Sequence, residues 1–563
     1  MEFAELIASP KIDGVLLHSP LHKPVDGTLC ITGHHLILSS RKEELQELWL
    51  LHKNIDFIEK KPNNANANHP DGGTIIIKCK DLRIIQLEIS SNEEFHNVYA
   101  SIESLSNLRE LSSLYPFFYR PMYNMLEDGY TLFKPEIEYG KLISSDEWRL
   151  SNVNKDYSVC PTYGSVLVVP QTVDDDTVVA SAAYREGGRF PIISYRHDNS
   201  AVLLRSSQPM VSSGNRRSRA DERMLNVVLG MNKKGYIVDT RSINLANQCK
   251  AKGGGYEPDA HYPQWKRIHK TLDKISNCNG ALIDSFSKLM EACNDTNCSP
   301  DKWLSRLDNS GWLTHVQNTL NAACLVAQCI DQEGASVLVH GSSGLDSTLL
   351  VTSLAQVILN PDCRTVRGMQ ALIDREWLQA GHPFSTRHAH SCYSTGRSKS
   401  SQPTFLLFLD CVQQLHNQFP CSFEFTTHML VLLFEHSYFS QFGTFLGNCE
   451  VEREAVKLFK RTTSLWSYLN RPDILGSFLN PMYEPNRTAI WPSVAPISLV
   501  LWFELYLRWI IDQTNNKKAL ATIQTLIQHD KNLRTKVIRL RKQLVDLQRE
   551  WDALNMEEPE VGA

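Results

Sequence analysis

Residues 336–348 read Ser336-Val337-Leu338-Val339-His340-Gly341-Ser342-Ser343-Gly344-Leu345-Asp346-Ser347-Thr348 and carry the clearest structural signal in the sequence. The apolar run predicts a buried strand, and a loop of small and polar residues separates it from a helix that begins near Thr348. A strand, a tight loop and a helix N-terminus together form a cradle for anions, because loop N–H groups and the helix dipole favour negative charge. Many turns in α/β proteins share this pattern, so an ordinary structural turn is an equal alternative.

Short apolar runs and longer helical patterns alternate on both sides of this segment. Strands are predicted at 166–169, 191–195, 201–204 and 336–339, and helices at 312–330 and 348–359. This alternation predicts a large α/β or α+β domain over residues 131–514. Two polar segments, 206–223 and 385–402, are predicted to be loops, and we expect the second to be a solvated insertion rather than a ligand site.

Residues 1–110 predict a small β-rich module that ends in a helix. Predicted strands lie at 27–32, 36–38, 48–50 and 74–77, and apolar residues recur at helical spacing from Phe95 to Leu108. This order is typical of a pleckstrin-homology-like barrel, and residues 61–73 are predicted to be an exposed hairpin loop. Its basic residues are scattered, which predicts at most weak contact with phosphoinositide or membrane. They are Lys11, Lys23, Arg41, Lys42, Lys53 and Lys60.

The C-terminal residues 515–556 predict a coiled coil, followed by a tail at 557–563. Apolar residues alternate at spacings of three and four over four heptads. The a positions are Ile523, Asp530, Val537, Leu544 and Trp551, and the d positions are Leu526, Leu533, Leu540, Leu547 and Leu554. The alternative is a single amphipathic helix that packs on the body of the protein.

The composition excludes several classes of protein. The 563 residues are 42% hydrophobic and 21% charged, which is typical of globular chains. The net charge of −4 gives no basic field for nucleic acid. Fourteen cysteines are too few for a disulfide scaffold. The acidic start predicts no secretion signal, and we expect a cytoplasmic protein with free thiols.

The loop resembles the signature of the myotubularins, which are Cys-dependent phosphoinositide phosphatases and whose loop reads His-Cys-Ser-Asp-Gly-Trp-Asp-Arg-Thr. Five residues match that signature, namely His340, Ser342, Gly344, Asp346 and Thr348. Gly341 occupies the position of the nucleophilic cysteine, and Ser347 that of the arginine that grips the phosphate. Ser343 and Leu345 replace the aspartate and the tryptophan.

Other motifs that resemble those of the family follow one another in order along the chain. They are residues 147–151, 160–163, 205–209, 312–316, 375–378, 381–384 and 441–445. The resemblance covers nearly the whole chain. It implies a PH-GRAM barrel at 1–110, a linker at 111–130, a phosphatase-like α/β domain at 131–514 and the coiled coil at 515–556.

The chemistry of the loop argues against catalysis. A glycine has no side chain that could attack phosphorus, and a serine at 347 lacks the planar, bidentate grip of a guanidinium. Asp346 matches the proposed general acid of active relatives, but we expect it to cap the following helix. We expect no cofactor and no metal site, although His382, His388 and His390 could suggest one.

The resemblance implies an inactive phosphatase homologue that acts as an adaptor. It would pair through its coiled coil with active relatives, for which members six, seven and eight of the family are candidates, and would raise their stability, activity or recruitment to endomembranes. One alternative is an effector that binds phosphoinositide without an enzyme partner. A residual phosphatase is a third hypothesis, and Gly341 and Ser347 argue against it.

Overall fold

The computed structural model describes residues 2–40, 47–63, 71–212, 214, 216–229, 233–276, 280–295, 297–394, 400–512 and 514–556. The chain divides into two compact units, residues 1–510 and residues 511–563. In the described part of the chain, no helix is both long enough and apolar enough to span a membrane.

The N-terminal part of the first unit is an antiparallel seven-stranded sheet that packs against a helix. The strands are β1 (Lys11–His18), β2 (Val25–Ile31), β3 (His35–Ser40), β4 (Leu48–Leu51), β5 (Ile55–Pro62), β6 (Gly73–Cys79) and β7 (Ile84–Ile89), in the order β4-β3-β2-β1-β7-β6-β5. Helix α1 (Asn92–Ser106) begins where the Ser91 side chain accepts a hydrogen bond from the N–H of Glu94. Its buried face, which includes Phe95 and Val98, joins the core of the sheet.

The predicted order of strands followed by one helix is confirmed, but the sequence did not reveal β1, β5 and β7. Strand β1 contains a bulge, where the register shifts between Ile12 and Val15 and Gly14 has a φ of +73°. The bulge interrupts the alternation of apolar residues that identifies a strand. Residues 61 and 62 belong to β5 rather than to the predicted hairpin loop, and residues 64–70 of that loop lie outside the described residues.

A second, mixed sheet forms the centre of the larger domain. Its strands are β10 (Ile192–Arg196), β11 (Val202–Ser206), β12 (Gly235–Asp239), β13 (Trp265–His269) and β14 (Val337–His340), and the pair β8 (Trp148–Ser151) and β9 (Leu167–Pro170) lies apart from it. The order is β10-β11-β14-β12-β13, with β10 antiparallel and the other strands parallel. All four residues of β14 are buried. The predicted strands and the mixed α/β class are confirmed.

The described part of the first unit contains further helices after α1. They are α2 (Pro135–Glu138), α3 (Gly140–Ile143), α4 (Asp175–Ala182), α5 (Arg219–Val227), α6 (Ile243–Ala251), α7 (Asp273–Ser276), α8 (Ala281–Asn294), α9 (Pro300–Ser310), α10 (Trp312–Asp331), α11 (Ser347–Leu359), α12 (Val366–Ile373), α13 (Phe384–Arg387), α14 (Thr404–Gln418), α15 (Thr427–Tyr438), α16 (Glu450–Ala455), α17 (Leu458–Arg461), α18 (Leu465–Leu469), α19 (Pro472–Leu475) and α20 (Phe503–Tyr506). A π-helical turn spans Asp374–Leu378. Short 3-10 turns lie at Ala4–Leu6, His52–Asn54, Leu111–Ser113, Tyr115–Phe117, Glu186–Gly188, Pro361–Arg364, Pro420–Ser422 and Pro496–Ser498. All thirteen residues of α11 are buried, so this helix forms part of the core.

The second unit contains one long helix, α21 (Thr514–Met556). Its 43 residues would extend about 64 Å at 1.5 Å per residue. The predicted apolar stripe is 43–66% exposed at Ile523, Leu526, Leu533, Val537, Leu540, Leu544, Leu547 and Trp551. Asp530 forms an exposed ion pair with Arg534, and the side chain of Leu554 lies outside the described residues. The helix is present, and the coiled coil stays a prediction.

The polar segment 385–402 is not a solvated insertion, which corrects the expectation from the sequence. Ser391, Ser401 and Gln402 are at most 1% exposed. Asp56 of the N-terminal sheet accepts hydrogen bonds from the N–H groups of Ser391 (2.7 Å) and Tyr393 (2.9 Å). The segment therefore packs between the two sheet domains. Residues 395–399 lie outside the described part of the chain.

We expect Asp56→Ala to lower the free energy of unfolding by about 3 kcal/mol, because two buried N–H groups lose a charged acceptor. Asp26→Ala is the matched control, since Asp26 is exposed on the same sheet, and its effect should stay within about 0.5 kcal/mol. Urea denaturation followed by tryptophan fluorescence measures both. Equal stability of the two variants would contradict the contact.

Candidate functional site

The predicted anion loop lies where the parallel strands of the central sheet end. His340 closes β14 and pairs with Ser206 of β11 on one side and with Asp239 of β12 on the other. Residues 341–346 then turn into α11, so the loop precedes the N-terminus of a thirteen-residue helix. This edge is the usual ligand position of a parallel sheet, and the helix dipole favours an anion there.

Two glycines of the loop face different constraints. Gly344 has a φ of +72°, and a Cβ at this position would lie 2.6 Å from the carbonyl oxygen of Ser206, so that only glycine fits. Gly341 has no positive φ. A Cβ there would lie 2.8 Å from Thr240 Oγ1 and 3.1 Å from Ser347 Oγ, so a side chain would displace these hydroxyl groups.

Neighbouring side chains and one backbone amide hold the carbonyl groups of the loop. Gln208 N–H donates to Ser342 O, Arg189 Nη2 donates to Gly344 O, and His382 Nδ1–H donates to Leu345 O, each at 2.9 Å. Burial lowers the pKa of His382 to about 4, so its ring is neutral at physiological pH. These hydrogen bonds from residues outside the loop hold its backbone in place.

A buried ionic network fixes the start of the loop. His340 Nε2 lies 3.0 Å from Glu257 Oε2. His340 Nδ1 lies 3.2 Å from the carbonyl oxygen of Gly341, the next residue in the chain. Arg185 pairs with Glu257 and with Asp221, at 2.6 Å in both cases. Burial alone would raise the pKa of Glu257, but His340 and Arg185 lower it below its usual range. The charges are thus paired with one another.

Asp346 does not cap the helix that follows it, contrary to the expectation from the sequence. Its side chain makes no capping hydrogen bond and instead forms a bidentate ion pair with Arg387, at 2.9 and 2.8 Å. Thr404 Oγ1 adds a hydrogen bond of 3.3 Å. Asp346 and Arg387 are at most 8% exposed. The pairing outcompetes the cap because a bidentate contact with a guanidinium is stronger than one with a backbone N–H.

The loop offers no nucleophilic side chain at position 341, because this residue is a glycine. Ser347 Oγ and Thr240 Oγ1 share a hydrogen bond of 2.8 Å. Cys249 comes from α6 and places its sulfur 3.9 Å from Ser342 Oγ, beside the loop rather than at its base. Ser342 and Ser343 are half-buried, and Leu345 is as well, whereas Thr348 is buried in the first turn of α11.

The sequence did not identify the partners of the loop. Glu257, Arg189 and Arg387 lie in segments without any motif, and Arg387 falls in the polar segment that was expected to be solvated. Gln208 and His382 belong to two of the motifs that resemble the family's, which is the one signal that pointed to them.

Four of the basic residues named from the sequence, Lys11, Lys23, Lys53 and Lys60, are described, and they lie on different elements of the N-terminal domain. Lys11 lies on β1 and Lys60 on β5, three strands away in the sheet order, and Lys60 is in register with Leu17, at the opposite end of β1 from Lys11. Lys53 lies in the 3-10 turn after β4, where burial lowers its pKa. Lys23 is exposed in the turn after β1, and Arg41 and Lys42 lie outside the described residues.

Comparisons with known proteins find related sequences over most of the chain. A family model described as the myotubularin-like phosphatase domain matches residues 114–454, and one described as the MTMR6-9 GRAM domain matches residues 11–106. Myotubularin-related protein 9 of Mus musculus is 53% identical over 98% of this chain and 99% of that protein. The protein of the same name from Caenorhabditis elegans is 40% identical over 99% and 100%. Phosphatidylinositol-3-phosphate phosphatase MTMR7 of Homo sapiens is 36% identical over 86% and 73%.

We expect Arg387→Met to lower the free energy of unfolding by about 3–5 kcal/mol, because Asp346 would remain buried without its counter-charge. The double variant Asp346→Leu/Arg387→Met removes both charges and should be more stable than Arg387→Met alone. Urea denaturation of Asp346→Leu, Arg387→Met and the double variant completes a double-mutant cycle. Additive losses would mean that the two side chains do not interact.

Proposed function

The chain belongs to the myotubularin family, and from this we propose that it is a non-catalytic member that regulates active relatives by binding them. The predicted resemblance is confirmed by family models over residues 11–106 and 114–454. The partners we propose are active relatives such as MTMR7 and MTMR8, which are named as phosphoinositide phosphatases. Binding would raise their stability, their activity or their recruitment to endomembranes from the cytoplasm.

The observation that carries this proposal is Gly341 at the base of the loop. The loop lies between β14 and α11 and its carbonyl groups are hydrogen-bonded, yet Gly341 has no side chain where a nucleophile would attack. Loss of a nucleophile alone costs on the order of 10⁶-fold in rate in serine proteases. Ser347 supplies no guanidinium, so the clamp for the transition state is missing as well.

The long helix α21 supports a binding role. Its apolar stripe keeps heptad spacing and is about half exposed. Covering such a stripe with a second helix removes apolar surface from water, which is favourable. Ile538 and Val545 are also exposed next to the stripe, so the apolar face is broader than a two-stranded seam requires.

The charge of α21 favours a different chain over a second copy. Residues 514–556 contain nine Lys or Arg and four Asp or Glu, a net charge of +5 in a chain whose total is −4. Two parallel copies would also place Asp530 against itself in the seam. A partner helix with acidic flanks would relieve both repulsions, which gives specificity for a heteromer.

A phosphoinositide-binding effector without an enzyme partner is the alternative. The scattered basic residues of the N-terminal sheet give it less support than the exposed stripe gives the adaptor. The two roles differ in size in solution, since an effector is expected as a monomer and an adaptor in a mixed complex.

The purified chain should not release phosphate from phosphatidylinositol 3-phosphate or the 3,5-bisphosphate, and Gly341→Cys should not change that. The added side chain would meet the hydroxyl groups of Thr240 and Ser347, and the guanidinium clamp would still be absent. A phosphate-release assay with MTMR7 as the positive control measures this. Turnover by the unmodified chain that Asp346→Asn abolishes would contradict the proposal.

Mixed with an active relative such as MTMR7, the full chain should elute as a larger complex on size exclusion with light scattering. Leu540→Asp/Leu544→Asp should weaken that complex at least about 100-fold, because two carboxylates would be buried in the seam. Asn532→Asp/Thr535→Asp is the control, since it adds the same charge at positions c and f, away from the seam.

Circular dichroism should show that both double variants keep the helical content of the unmodified chain. A chain that forms a homodimer more tightly than any mixed complex would contradict the proposal. If the control variant loses the complex equally, the added negative charge, and not the disrupted apolar stripe, would be the cause of the loss.

A further inference from the structure

The hairpin between β6 and β7 connects the N-terminal sheet to the large domain. The side chain of Leu82 is 2% exposed and belongs to the hydrophobic core of the large domain. Its carbonyl oxygen accepts a hydrogen bond from Tyr393 OH (3.0 Å). The carbonyl oxygen of Asp81 accepts hydrogen bonds from Arg508 Nη2 (2.6 Å) and Trp509 Nε1 (2.9 Å). The tip of the hairpin is therefore inserted into the large domain.

Lys80, in the same hairpin, is a buried lysine without a counter-charge of its own. It is 2% exposed. Within the described ranges of the chain, its side chain forms no hydrogen bond and no ion pair. The carboxylate of the next residue, Asp81, pairs with Arg83 instead (3.3 Å). Because an ammonium ion without a partner is costly to remove from water, burial here favours the neutral amine.

The titratable groups around Lys80 come from both domains. They are Lys53, Asp56, Glu103, His388 and His390. Burial and the positive charge of Lys53 outweigh the attraction of Asp56, and together they lower the pKa of Lys80 to about 7. Burial lowers the pKa of His388 to about 3, so this histidine is neutral near pH 7.

A small cavity of about 30 Å³ adjoins Lys80 at the contact between the domains. Its walls come from β5, from α1 and from Ala389 and His390 of the large domain. It has room for about two water molecules, which are too few to hydrate an ammonium ion as bulk water does. Lys80 therefore regains full hydration only when the contact opens.

We infer that the contact between the N-terminal sheet and the large domain is sensitive to pH near neutrality, because opening of the contact lets Lys80 take up a proton. The closed contact holds the neutral amine more readily than water does. The opened form therefore binds more protons between about pH 7 and about pH 10, and the contact becomes more stable as the pH rises through that range. The inference does not rest on the adaptor role, because it uses no residue of the loop or of α21.

Amide hydrogen exchange of the full chain tests the inference at the N–H groups of Ser391 and Tyr393, which donate to Asp56 across the contact. Their protection, corrected for the intrinsic exchange rate, should rise at least about tenfold between about pH 6.5 and about pH 8.5, since one proton changes the opening constant by up to tenfold per pH unit. Lys80→Met keeps an apolar stem without the amine. It should raise the protection at the lower pH and remove the rise with pH.

Lys53→Met and Lys11→Met are the matched controls. Lys53 lies near Lys80 in the same contact, whereas Lys11 is exposed on β1. Both variants should keep the rise in protection with pH. His390→Asn should keep it as well. His390 Nδ1 lies 4.0 Å from Asp56 Oδ1, so protonation of this histidine would strengthen the contact at low pH and give the opposite slope.

Three results would overturn the inference. They are protection that stays constant or falls as the pH rises, a rise that persists in Lys80→Met, and a rise that Lys53→Met abolishes. If Lys80→Met does not fold, Lys80→Gln, which is also neutral, decides in its place.

Discussion

The ion pair between Asp346 and Arg387 joins the end of the loop to the rest of the molecule. Arg387 closes α13 and leads into the buried segment whose N–H groups bind Asp56 of the N-terminal sheet. Two polar contacts, joined by the backbone between Arg387 and Ser391, thus link the loop after the central sheet to the N-terminal sheet. Because the pair is buried, removing one partner would leave an uncompensated charge, and the contact therefore constrains both domains.

The same interaction would keep Asp346 from acting as a general acid. A general acid must face the leaving group of a substrate, whereas both carboxylate oxygens of Asp346 face a guanidinium. The backbone carbonyl groups of the loop accept hydrogen bonds from Gln208, Arg189 and His382. A loop without a nucleophile fits the proposal that the protein acts by binding.

The elements that depend on a local sequence pattern were predicted from the sequence. The contacts between residues far apart in the chain were not. The strand, loop and helix over 336–359 follow from an apolar run, small polar residues and a helical period, and all are present. The role of Asp346 depends on Arg387, which lies 41 residues away in a polar segment that the composition alone marks as solvated. The bulge at Gly14 hid β1, since it broke the alternation that strands show.

The most direct test of the adaptor role is amide hydrogen exchange of α21 in the full chain, alone and mixed with MTMR7. An exposed stripe without a partner predicts rapid exchange over residues 514–556 in the free chain. We expect exchange there to slow at least tenfold in the mixture, while residues 340–348 stay unchanged. Equal exchange with and without MTMR7, or protection in the free chain that grows with its own concentration, would contradict the adaptor role.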